Sequence, residues 1–117
     1  MYHYYVVLSG SGFNPSELPF LLNYRVNNSE NSGWLNRSGK MMEHGYLRID
    51  GDGIIQLCGI AKKVITFDPS VTEVQIWLAR YYKSQCNLEF DSKEIALMSE
   101  LNATFCVSCY QDDEVED

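Results

Sequence analysis

The chain has 117 residues, 45% of them hydrophobic and 13% aromatic, which is enough to bury a core without a metal or disulfide staple and too apolar for a disordered chain. Its formal net charge is −7, and five of the last six residues, Asp112 to Asp117, are acidic, so without them 11 acids face 9 bases. A nearly neutral body with an acidic end disfavours nucleic acid, which needs a basic footprint, and permits a basic protein partner.

Tyr2 to Ser9 is rich in aromatic and β-branched residues and stops at Gly10-Ser11-Gly12, which predicts a strand. His3, Tyr5 and Val7 share one face, and Tyr4, Val6 and Leu8 the other. Both faces are apolar, as expected of a central strand. Asn14-Pro15-Ser16-Glu17 has the form of a capping box, with proline where a missing N–H costs nothing. It predicts a short helix with Leu18, Leu21 and Leu22 on one side, although Pro19 limits its length. Residues 24–45 form the least regular stretch, a long loop anchored by Trp34 and Leu35.

Gly45 to Asp50 predicts a strand, and Asp50-Gly51-Asp52-Gly53 a hairpin turn, after which Ile54 to Ile65 returns as a longer strand. A second capping box, Ser70-Val71-Thr72-Glu73, opens a predicted helix to about Ser84, with Val71, Val74, Leu78 and Tyr81 at helical spacing. A third, Asp91-Ser92-Lys93-Glu94, opens a helix striped by Ile95, Met98 and Leu101, which Asn102 stops in the left-handed conformation. Ala103 to Tyr110 is the last strand. The order βαββααβ predicts an α+β, ferredoxin-like antiparallel sheet with helices on one face, a single domain over 1–111 and an acidic tail over 112–117. The expected core is Val6, Leu8, Leu21, Ile49, Ile55, Val74, Leu78, Met98, Leu101, Phe105 and Val107.

Candidate chemistry is thin. Cys106-Val107-Ser108-Cys109 has the spacing of a redox or zinc pair, but residues three apart on a strand point to opposite faces, and neither Cys58 nor Cys86 supplies a second pair. Asp50-Gly51-Asp52-Gly53 opens like a calcium loop, yet Ile54 and Leu57 stand where oxygen ligands belong. Gly10-Ser11-Gly12 lacks the lysine of a phosphate loop. His3 and His44 have no partner selected by spacing. The expectation is a non-enzyme without cofactor or metal. No basic leader precedes the first strand and no run is long enough to cross a bilayer, so the expected location is cytoplasmic, away from membranes, with free thiols. The aromatic residues Trp34, Tyr46, Trp77, Tyr81 and Tyr82 are too many for one narrow core stripe, which makes Trp34, Tyr46 and Trp77 candidate partner-binding residues. Asp112, Asp113, Glu114, Glu116 and Asp117 are candidates for steering a basic partner.

Three segments together resemble a known family: the strand Tyr5–Ser9 running through Gly10-Ser11-Gly12 into Phe13-Asn14-Pro15, the loop Trp34 followed by Gly39-Lys40, and the helix-to-strand passage from Leu97 to Tyr110. The chain resembles a family of small bacterial domains of unknown function, of the DUF4279 type, whose members are similar in size and habit to immunity proteins of bacterial toxin systems. The resemblance implies a protein-binding inhibitor that neutralises a toxin, and it implies no catalytic residue. A phage-type inhibitor of a host defence complex and a small-ligand-binding ferredoxin-like domain are the other readings.

Overall fold

The computed structural model describes residues 1–115. Five strands form one mixed sheet: β1 (Tyr2–Ser11), β2 (Arg25–Glu30), β5 (His44–Gly51), β6 (Glu73–Tyr82) and β7 (Thr104–Gln111), in the order β2-β5-β1-β6-β7. A small hairpin pairs β3 (Trp34–Leu35) with β4 (Met41–Met42). The helices are α1 (Ile54–Phe67) and α2 (Ser92–Glu100), and two 3-10 turns cover Pro15–Glu17 and Leu21–Asn23.

The first strand is central, as its two apolar faces require, with β5 and β6 antiparallel on either side of it. The unit β5-α1-β6 is therefore a crossover split by β1. A second crossover, β6-α2-β7, is unsplit, because β7 pairs parallel to β6. On the three inner strands alternate residues, Val6, Leu8, Leu47, Ile49, Val74, Ile76 and Leu78 among them, are buried on the side of α1, which contributes Ile54, Leu57, Cys58, Ile60, Ala61 and Val64. Phe13, Leu18 and Phe20 close the same side.

That closure requires two glycines. Gly10 and Gly45 face each other across β1 and β5. A Cβ on Gly45 would collide with the Phe13 carbonyl oxygen, and one on Gly10 with that of Ser70. The Phe13 carbonyl is pinned there by the Ser32 N–H at 2.9 Å.

The expected antiparallel ferredoxin-like sheet is corrected: it is mixed, and two elements exchange type. Residues 54–67 form a helix where a strand was expected, and 73–82 a strand where a helix was expected. Both segments carry both periodicities. Ile54, Leu57, Cys58, Ala61 and Val64 recur at helical spacing, so the β-branched content misleads. Val74 and Leu78 are four apart, which suits a helix, but Ile76 between them is also buried, which only a strand allows. The second capping box is an Asx turn: Ser70 donates from its N–H and its hydroxyl to Asp68 Oδ1, at 3.0 and 2.6 Å. Without a strand at 54–65, Asp50–Gly53 makes no hairpin. It is the β5-to-α1 turn, where Gln56 Oε1 accepts from the Asp52 N–H at 2.6 Å.

The Asn14 box also fails as a cap, since Asn14 makes no side-chain cap bond and a single 3-10 turn follows. The third box forms in full: Glu94 N–H donates to Asp91 Oδ1 at 2.8 Å, and Asp91 N–H to Glu94 Oε1 at 3.0 Å. Asn102 takes φ 53°, ending the helix as expected. The stretch 24–45 is no long loop, since it holds β2, β3 and β4. Of the expected core, Leu21, Leu101 and Phe105 are half-buried, while Ile55 and Val107 are exposed at 44% and 41%. Ile55 lies on the outer side of α1, and Val107 on the edge strand. Among the described residues no helix is long and apolar enough to cross a membrane.

Candidate functional site: the open face of the sheet

The buried residues lie on one side of the sheet, and their alternates form the other. On that second side Tyr5 stands between Asp50 on β5 and Trp77 on β6, and Trp77 pairs onward with Cys106 on β7. The Tyr5 and Trp77 rings stack with centroids 5.6 Å apart and planes 6° from parallel. The Arg48 guanidinium lies over the other part of this cluster, 3.8 Å from the Tyr5 ring centroid. Its Nε donates to Asp50 Oδ1 at 3.3 Å, and His3 Nε2 reaches the same oxygen at 3.7 Å. Burial pushes the Tyr5 hydroxyl pKa up, while Arg48 pulls it down.

Flanking pairs extend the row. Trp34 leans edge-on against Tyr46 at 5.6 Å and donates its indole N–H to the His44 carbonyl at 3.0 Å. The Tyr46 hydroxyl accepts from Asn28 Nδ2 at 2.8 Å. At the far edge Tyr81 and Tyr110, in register on β6 and β7, stack at 5.1 Å. A polar ladder fixes the indole of Trp77, which donates to Gln75 Oε1 at 3.1 Å while Gln75 Nε2 donates to Glu73 at 3.1 Å.

No family model, curated protein or solved structure matches the chain. Three aromatic pairs along one sheet face, two stacked and one edge-on, held in place by side-chain hydrogen bonds, offer large apolar area at little cost in rotamer entropy.

Trp34, Tyr46 and Trp77, singled out from the sequence as partner-binding residues, all belong to this row. Tyr81 joins them, while Tyr82 alternates to the other face. Both tyrosines stand on a strand where the sequence suggests a helix, and Tyr5 and Arg48 are further members of the row that composition alone does not single out. The signal for Tyr5 was the two-residue alternation of β1, and for Arg48 its place between Leu47 and Ile49. Of the acidic end, Asp112 donates its N–H to the Tyr82 carbonyl at 2.7 Å, and its Oδ1 accepts the Glu114 N–H at 2.9 Å. Asp112, Asp113 and Glu114 thus begin at the same end of the sheet as the Tyr81–Tyr110 stack, and Glu116 and Asp117 lie outside the described residues.

The buried side holds less. Two shallow hollows flank α1, one of about 560 Å³ beside Phe20, Lys63 and Phe67, and one of about 340 Å³ between Cys58 and Leu101. Among the described residues no three His, Cys, Asp or Glu side chains gather as a metal site. Cys106 and Cys109 fall on opposite faces, in register with Trp77 and Arg80.

Proposed function

We propose that this chain is a non-catalytic protein-binding inhibitor, an immunity-type protein whose open sheet face docks a basic toxin domain. The observation that carries the reading is the Tyr5–Trp77 stack with Arg48 upon it, at the centre of a sheet face that neither helix covers. Central aromatic and arginine side chains dominate binding energy at protein interfaces. The net charge of −7 and the carboxylates around the row, Glu30, Asp50, Glu73 and Asp112–Glu114, favour a partner of opposite charge. The resemblance to small bacterial domains with the habit of immunity proteins supports the same class.

The product of the reading frame immediately upstream is the partner to test. Capture of that product by the full chain supports the reading, and failure to bind it overturns it. In the captured complex Trp77→Ala weakens binding by roughly 30-fold or more through faster dissociation, as expected for an anchor worth about 2 kcal/mol. Truncation after Gln111 slows association at low salt and leaves dissociation nearly unchanged, because peripheral charges act on encounter. Unchanged rates for both variants would move the interface away from the Tyr5–Trp77 centre and the acidic end, to residues 27–43 around Trp34.

A further inference from the structure

The spacing of Cys106 and Cys109 draws attention to the wrong pair. Cys109 lies on the side of β7 opposite Cys106, and the sulfur it meets is that of Cys86, 23 residues earlier in the chain. Cys86 comes from the connection between β6 and α2, which has no regular secondary structure from Lys83 to Asp91. The two sulfurs are 3.2 Å apart, with the Cys86 S–H donating to Cys109. Cys109 is exposed and Cys86 half-buried.

A cation stands beside them. Arg80 is Cys109's register neighbour on β6 and is only 6% exposed. It donates through one terminal nitrogen to the Tyr81 carbonyl at 2.8 Å and lies 4.5 Å from the Tyr2 ring centroid. Its Nε has no hydrogen-bond partner among the described residues. The hydrogen bond to Cys109 holds the Cys86 thiol pKa up, with burial adding to this, while the Arg80 charge pulls it down. The net direction for Cys86 is upward, which leaves the exposed Cys109 as the sulfur that meets a reagent first.

We propose that Cys86 and Cys109 form an oxidation-sensitive dithiol that closes to an intramolecular disulfide by exchange with a low-molecular-weight disulfide of the glutathione class. The exposed Cys109 loses its proton to solvent and attacks one sulfur of the reagent. The reagent's S–S bond breaks, and one glutathione leaves as thiolate. Cys86 then loses its proton to solvent and attacks the Cys109 sulfur, expelling the second glutathione. The protein gives up two electrons and two protons, and the reagent disulfide becomes two thiols. Closure from 3.2 Å to the bonded distance of about 2.05 Å is a movement that the irregular connection 83–91 can supply. The product ties that connection to the outer strand and encloses α2 in a covalent ring.

The test uses the full chain, oxidised glutathione, intact mass spectrometry after thiol alkylation, and peptide mapping. The expected product has lost two hydrogens, has two fewer alkylatable thiols and carries a linked Cys86–Cys109 peptide, and dithiothreitol reverses it. Cys106→Ser gives the same product. Cys86→Ser instead accumulates a stable glutathione adduct on Cys109, because the second step has no thiol. Wild-type protein that keeps every thiol, that gathers glutathione adducts without an internal link, or whose link contains Cys58 or Cys106 overturns the proposal.

Discussion

Leu57 and Ile55 separate the helix at 54–67 from the strand that its β-branched residues suggest. Two residues apart on a strand, they share a face; two apart on a helix, they are about 200° apart. Leu57 is fully buried, with its Cδ2 packed against Gly51, whereas Ile55 is 44% exposed. Leu57→Ala removes a buried branched side chain next to backbone that cannot follow it, which costs about 2–5 kcal/mol. Ile55→Ala removes a half-solvated one, at about 0.5 kcal/mol or less. For a chain of this size the unfolding entropy is about 0.25 kcal/mol/K, so a loss of about 3 kcal/mol lowers the melting temperature by about 12 °C, and one of 0.5 kcal/mol by about 2 °C. Thermal melts followed by circular dichroism measure both directly. Equal losses for the two variants would refute the helix and the burial assigned to it.

Gly45→Ala sets a Cβ against the Phe13 carbonyl, which cannot withdraw without losing its bond from Ser32. A loss of about 3 kcal/mol is expected in urea unfolding, at the upper end of overpacking costs, and a neutral result would mean the Phe13 segment sits elsewhere. Asp91→Ala removes the acceptor of the reciprocal cap of α2 and should cost about 1 kcal/mol, read by the same assay.

The sequence is legible where a local rule has one solution. The central strand follows from two apolar faces, and α2 from a capping box whose two bonds both form. Asn102 ends that helix by the one route its side chain favours. Legibility fails where two periods coexist. Residues 54–67 and 73–82 each place apolar side chains four apart, and only the tertiary partner decides between helix and strand. The pseudo-box at Ser70 fails for a local reason, because Asp68 captures Ser70 first. The aromatic members of the open face were visible by composition, but their assembly depends on strand register. Trp77 meets Tyr5 only because β6 lies beside β1, a long-range fact that no local spacing encodes. The contact between Cys86 and Cys109 is invisible for the same reason.

The position of β1 governs how the sheet can be built in time. Its neighbours are β5 and β6, and Tyr5 pairs with Trp77, 72 residues further along the chain. At about 5–20 residues per second, ribosomal synthesis leaves about 4–14 s between the emergence of one and of the other. Through that interval β1, apolar on both faces, has one hydrogen-bonding edge open even after β5 has joined it. An unpaired edge of this kind invites pairing with other chains. A central strand so early in the order makes the nascent chain slow to finish and dependent on its later half, and aggregation during expression is where that dependence would be felt.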